Sequence, residues 1–177
     1  LNRVAKRYAK ALFELAIEQK KLDRISEDME LLRSVLAKSE DFAVILSNPL
    51  ISEQQKLQAL SGAFGKELQT LSLNFLDLLT EKRRLNLLPE VLEAFKFFLL
   101  DHENKLEGEV VSAIKLSSDQ IGKIRSHVEE LTGKKLVLEE RIDTQLIGGF
   151  VVKVQDIVID NSIRSHLERL RERLSAR

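Results

Sequence analysis

The sequence contains no cysteine. That excludes disulfides, thiolate nucleophiles and cysteine-held metals, and it fits a reducing compartment. Net charge is also missing: 28 Lys and Arg balance 28 Asp and Glu, so no global field favours nucleic acid or an anionic membrane. No stretch approaches the roughly 18 uninterrupted apolar residues that a membrane-spanning helix needs. The opening residues are charged and amphipathic, without the apolar core of a secretory peptide. Leu1 is not methionine, so the natural N-terminus is expected to lie upstream or to be processed. Histidine is scarce. His102, His127 and His166 fall on three different predicted helices, none with a second His or carboxylate at a metal-ligand spacing. No metal and no cofactor are expected.

Other catalytic constellations are missing too. Glu129-Glu130 and Glu139-Glu140 are adjacent pairs, and adjacent side chains on a helix or strand point apart, so neither forms an acid/base dyad. Ile147-Gly148-Gly149-Phe150 is too short for a phosphate loop, and no Gly-Lys-Ser/Thr follows. Ser162 has no identifiable general base and reads as a helix cap. The class left standing is a binding or structural adaptor.

The chain has 177 residues, 44% apolar and 32% charged, the composition of a folded protein with one large or two small domains. Asn2 to Gln19 reads as a helix. At 100° steps Ala11, Val4, Leu15, Tyr8, Leu12, Ala5, Ala16, Ala9, Phe13 and Ile17 sweep roughly 240°, far wider than a one-sided stripe. Such a helix touches several neighbours or leaves an edge open for a partner. Asp23 caps a second predicted helix through Leu36, and Asp41 a short third one that Asn48-Pro49 ends. Ser52 and Gln55 form a capping box for a fourth, with Gly62 and Gly65 at its end. The fifth runs Lys66 to Lys82, its main face Leu68, Leu71, Phe75, Leu78 and Leu79, with Leu76 at one edge. The sixth runs from Leu87 to about Glu103, with Pro89 in its first turn. Six helices with short connections predict a bundle.

The period changes near Asn104 to Gly108. Glu109 to Leu116 reads as a strand. Ser117 and Gln120 form a second capping box, opening a helix with Ile121, Ile124, Val128 and Leu131 that Gly133 stops. Leu136 to Ile142 alternates again. Phe150 to Val154 and Ile157 to Ile159 then read as a hairpin turning at Gln155 and Asp156. Gly148 and Gly149 precede it, where positive φ or close backbone approach is expected. Ser162 caps a last helix carrying Ile163, Leu167, Leu170 and Leu174. The order β-α-β-β-β-α is a small α+β domain of about 70 residues. The expected fold is mainly α with a small α+β part: a six-helix bundle over residues 1–105 and an α+β domain over residues 106–177.

Four segments, RYAKALFELA, NPLIS, EKRRLNLLPEVLEAF and LIGGFVVKVQDIVIDNSIRSHLERLRERL, resemble in order and spacing the delta subunit of bacterial F-type ATP synthases. The mitochondrial counterpart is the oligomycin-sensitivity-conferral protein. The resemblance covers nearly the whole chain. Gln155, Asn161 and Arg83 stand where glycine is usual in that family. The resemblance implies a non-catalytic stator adaptor on the cytoplasmic face of the bacterial inner membrane, peripheral and monomeric within the complex. It implies that the helical domain holds the N-terminal helix of an alpha subunit in a groove between the first and fifth helices. Here that groove would use Tyr8, Ala11, Leu12 and Leu15 on one wall and Asn74, Leu78 and Leu79 on the other. It further implies that the C-terminal domain, with a structural turn at Gly148 and Gly149, engages the b chains of the peripheral stalk.

Two rivals come from other classes. One is a nucleic-acid-binding helical adaptor using Arg164, Arg169, Arg171, Arg173 and Arg177. These alternate with Glu168 and Glu172, and no aromatic lies among them to stack a base, so no nucleic-acid partner is expected. The other is an enzyme with a site assembled across a domain cleft.

Overall fold

The structure, a computed structural model, describes residues 2–154 and 157–175, without the side chains of Glu40, Ala43, Arg173 and Ser175. α1 spans Arg3–Glu18, and Asn2 caps it by accepting the Val4 N–H at 2.9 Å. Ala5, Ala9, Leu12, Phe13 and Ala16 form its buried stripe. Lys20 takes a left-handed φ of 55°, and the Lys21 N–H returns to the Ala16 carbonyl at 2.9 Å, which closes the helix tightly. α2 therefore starts early, at Leu22–Lys38. Asp23, the expected cap, lies inside its first turn, and Lys21 at the cap position makes no side-chain cap bond.

α3 spans Glu40–Ser47. Asp41 is within it and not its cap, because the chain already enters the helix after the extended Ser39. Asn48 is extended before Pro49 and ends it, since the proline ring disfavours helical backbone one residue earlier. α4 spans Glu53–Phe64 and carries the expected Ser52–Gln55 capping box. Gly62 lies inside α4, and Gly65 alone stands at its C-terminal cap. α5 spans Thr70–Glu81, four residues later than its periodicity predicts. The cause is tertiary: Gln69 is extended, and its N–H donates to Oδ2 of Asp28 on α2 at 2.8 Å. A short 3₁₀ turn, Leu85–Leu87, leads into α6, Leu88–His102.

These six helices share one core that includes Leu12, Ile25, Leu32, Leu76, Leu79, Leu92 and Phe95. Phe13 meets Phe95 edge-on with centroids 5.7 Å apart, the geometry that the ring quadrupoles favour. Because α5 packs against α2 and α4, it turns Leu76 fully inward and leaves Leu78 at 39% exposure. That reverses their predicted places.

The second unit has the expected element order. β1 is Lys105–Ser112, α7 is Ser118–Thr132, β2 is Lys135–Ile142, β3 is Phe150–Val154, β4 is Ile157–Asp160 and α8 is Ile163–Ser175. β1 begins four residues before the predicted strand. Asn104, at φ 55°, turns the chain sharply out of α6, and its carbonyl accepts the Lys135 N–H at 3.0 Å. Pairing with β2 thus starts at once, Lys105 opposite Lys135. Leu116 lies beyond the strand, buried from the following segment. The Ser117–Gln120 capping box and the left-handed Gly133 bound α7 as its sequence predicts. The sheet order is β2-β1-β3-β4, with β1 and β2 parallel and the other pairs antiparallel. Ile121, Ile124 and Val128 of α7 cover Leu106, Val110, Leu136, Val152 and Val154 on one face. Leu131, in the last turn of α7, stands outside that contact. The predicted hairpin turn at Gln155 and Asp156 lies outside the described residues. The chain divides into two compact units, Leu1–Leu99 and Leu100–Arg177.

Candidate functional site

The edge of the α1 core stripe reaches the surface beside α5. At helical spacing Val4 and Tyr8 are half-buried, and Ala11 and Leu15 are exposed. On α5, Asn74 and Leu78 are exposed and Leu71 is half-buried. Leu12 and Leu79, also expected in a groove wall, are interior at 2% and 0% exposure. They belong to the buried core of the helical unit and offer no surface of their own. The expected residues that keep surface are thus Tyr8, Ala11 and Leu15 on α1 and Asn74 and Leu78 on α5.

Tyr8 joins the two helices. Its ring stands edge-on to Phe75 of α5, centroids 6.4 Å apart. The guanidinium of Arg84 lies 5.6 Å from the same ring, and its Nη1 donates to the Tyr8 hydroxyl at 3.3 Å. Arg84 is placed there by the turn that ends α5. Arg83 takes φ 53°, its N–H donates to the Thr80 carbonyl at 2.9 Å, and the Arg84 N–H donates to the Leu79 carbonyl at 2.8 Å. This is a left-handed helix closure made on a residue other than glycine. Sequence reasoning did not single out Arg84, because its direction depends on the φ of the residue before it. Nor did it single out Asp28, although a carboxylate three residues after Ile25 and four before Leu32 on an apolar face was the available signal.

The second surface belongs to the α+β unit. Gly149 has φ 82°, and a Cβ there would lie 2.3 Å from the Asn161 carbonyl oxygen and 2.8 Å from Ser162 Cα. A Cβ on Gly148 would meet Ile163 Cδ1 at 2.6 Å. The Ile163 N–H donates to the Gly148 carbonyl at 3.0 Å, and the Asn161 N–H to the Phe150 carbonyl at 2.9 Å. Asn161 itself is not left-handed; among the described non-glycine residues only Lys20, Arg83 and Asn104 are. The glycine pair therefore holds the entrance of α8 backbone to backbone.

A polar clasp secures that entrance. The Ser162 hydroxyl oxygen accepts the Ser165 N–H at 3.3 Å. Asp160 Oδ2 accepts the Ser165 hydroxyl at 2.6 Å, and its Oδ1 accepts the Ser162 N–H at 2.9 Å. These bonds, the Ser165 hydroxyl foremost, hold the Asp160 carboxyl down at about 2. From this anchored start α8 exposes Ile163, Leu167, Leu170 and Leu174 on one stripe. Arg164, Arg169 and Arg171 are exposed among Glu168 and Glu172, and Arg169 Nε is spent on the Ser165 carbonyl at 3.1 Å. The Arg173 side chain and Arg177 lie outside the described residues. Among the described residues no group of three or more His, Asp or Glu side chains is placed to hold a metal ion, and no helix is long and apolar enough to cross a membrane.

Each of the two units exposes apolar side chains, the kind of surface that a binding protein offers a partner. The comparisons with known proteins agree. A family model described as ATP synthase delta (OSCP) subunit matches residues 4–174. ATP synthase subunit delta of Lactobacillus gasseri is 39% identical over 172 residues, 97% of this chain and 94% of the relative. That of Solidesulfovibrio magneticus is 40% identical over 176 residues, 98% of this chain and 96% of the relative. Among solved structures, a chain in the cryo-EM structure of Toxoplasma gondii mitochondrial ATP synthase hexamer superposes with a TM-score of 0.76, at 26% identity and 99% coverage of both chains. The chain belongs to the ATP synthase delta (OSCP) subunit family. It is a structural, non-catalytic component of an F-type ATP synthase, part of the stator that forms the peripheral stalk.

Proposed function

We propose that the helical unit grips the catalytic head and the α+β unit grips the static stalk, so that one chain ties the two together. On the head side the ligand is the N-terminal helix of an alpha subunit, laid along the strip of Tyr8, Ala11, Leu15, Asn74 and Leu78 as a helix in a groove. The observation that carries this reading is the strip itself. Leu15 and Leu78 stay 37% and 39% exposed on the two helices whose Leu12 and Leu79 are buried in the core, and Tyr8 on Phe75 joins those helices. On the stalk side the leucine stripe of α8 offers the second apolar contact, to the ends of the b chains. The chain then sits on the cytoplasmic side of a bacterial membrane, held there through its partners.

The mechanism is mechanical. Rotation inside the head generates torque, and the head turns with it unless it is tied to the static membrane part. The adaptor supplies that tie and performs no chemistry. The test is reconstitution of membranes stripped of this subunit, comparing the full chain with a fragment ending near Lys105. The fragment is expected to bind the head and to leave ATP hydrolysis uncoupled from proton pumping. Restored pumping with the fragment alone would overturn the two-ended reading.

A further inference from the structure

We propose that Arg84, held against Tyr8, is the specificity-determining residue of the α1–α5 strip, and that it selects an apolar helix bearing a carboxylate at the strip's edge. This rests on the docking reading above and adds the chemistry of the partner's polar face. The observation is how Arg84 is held. Three other arginines sit on carboxylates, Arg24 on Glu27, Arg33 on Glu30 and Arg141 on Glu109, and Arg3, Arg7 and Arg125 are exposed without an ion pair among the described residues. Arg84 is exposed, yet its partners are neutral, the Tyr8 ring and hydroxyl. A guanidinium carries about five N–H donors in a fixed plane, and Tyr8 takes one. The aromatic contact fixes the plane without neutralising the charge, so the remaining donors are oriented before any partner arrives.

The surroundings have the same sign. Arg7, one turn before Ala11, and Lys82, one turn after Leu78, are exposed and make no ion pair among the described residues. Asp77 and Glu81 face away, lining the cleft beside Pro49, Ser52 and Glu53 on the other flank of α5. Glu14 is taken by Lys10. A docking helix would strip water from the Arg84–Tyr8 pair, which strengthens a charge contact there and makes an uncharged partner side chain a poor substitute.

The test is a double-mutant cycle by calorimetry on the full chain. The probes are a synthetic peptide of the N-terminal helix of the same organism's alpha subunit and the same peptide with its Asp and Glu replaced by Asn and Gln. Wild-type protein is expected to bind the amide peptide about tenfold more weakly, with the difference shrinking at high salt. Arg84→Gln is expected to bind both peptides equally, and Arg84→Met, which keeps the stem and removes the charge, is expected to do the same. An equal loss on wild type and both variants would overturn the proposal and leave the groove intact. So would an alpha segment without acidic residues that still binds. Failure of the carboxylate peptide to bind wild type at all would remove the docking reading and this proposal with it.

Discussion

The Ser72 hydroxyl donates to Oδ2 of Asp28 at 2.5 Å, and both residues are interior, at 0% and 5% exposure. The same oxygen accepts the Gln69 N–H. One carboxylate of α2 therefore satisfies an orphan donor at the start of α5 and the side chain three residues further on. A cap of this kind is worth about 1–2 kcal/mol, and stranding a buried hydroxyl costs about 1–3 kcal/mol more. Asp28→Ala is expected to destabilise the helical unit by about 3 kcal/mol in urea unfolding. Ser72→Ala should cost roughly 1 kcal/mol, because the Gln69 bond survives. Equal costs would mean that the carboxylate does not act on α5.

The strip and the core should separate by assay. Leu78→Ala is expected to change folding by less than about 1 kcal/mol, because the side chain is already partly in water. As a central anchor it should cost at least ~2 kcal/mol in affinity for the alpha peptide. Leu79→Ala, in the buried core, should do the reverse and cost about 2–5 kcal/mol of stability through an interior cavity. Tyr8→Ala should register in both assays, since the ring packs on Phe75 and also reaches the surface. Unchanged affinity in both Tyr8→Ala and Leu78→Ala would rule out this placement of the docking site.

Gly149→Asp should disorder the α+β unit alone. The new Cβ would fall 2.3 Å from the Asn161 carbonyl oxygen at a φ of 82°, so the backbone entering α8 must move and the residue is strained besides. The expected cost exceeds about 2 kcal/mol. Limited proteolysis should find new cuts after about residue 100, while circular dichroism keeps the signal of α1–α6. Wild-type resistance to protease would refute this.

Asp160 gives the α8 entrance an acid dependence. Its carboxyl titrates at about 2 against an ordinary 3.8, so as pH falls the unfolded chain takes up the proton first. The contribution to stability is complete above about 3.8 and is lost as pH drops toward about 2. Solvent exposure keeps it small. Carbon-detected NMR titration should show the depressed midpoint in wild type and one moved up toward the ordinary value after Ser165→Ala is combined with Ser162→Ala, the Ser162 N–H bond surviving.

Arg83→Gly should stabilise the helical unit by about 1 kcal/mol, since glycine takes the left-handed turn without a Cβ penalty. Thermal unfolding should shift upward by a few degrees. The Arg84–Tyr8 contact should persist, which the peptide cycle would detect as unchanged coupling.

What could be read from the residues was local. The Ser52–Gln55 and Ser117–Gln120 boxes and the Gly133 stop lie within a few residues of the backbone they serve, and each stands where its spacing places it. The misplaced boundaries come from partners far along the chain. Asp28 takes the Gln69 N–H and delays α5, and β2 starts β1 early by pairing at Lys105. Leu76 and Leu78 exchanged roles because the face a helix buries is decided by its neighbours, here α2 and α4. Tyr8 and Leu78 entered the proposed docking strip through the family resemblance, since periodicity put Leu78 on the buried face, and Arg84 was hidden behind a single positive φ at Arg83.

β1 follows α6 after only Glu103 and Asn104, and it is one of the two inner strands of its sheet, paired to β2 from Lys105 to Ser112 and to β3 from Gly108 to Ser112. The segment that follows the bundle is thus bonded on both sides from Gly108 to Ser112, and it cannot leave the sheet without breaking two ladders. A strand at the border of the sheet would peel. Through that doubly held strand the chain passes from its helical unit into its sheet.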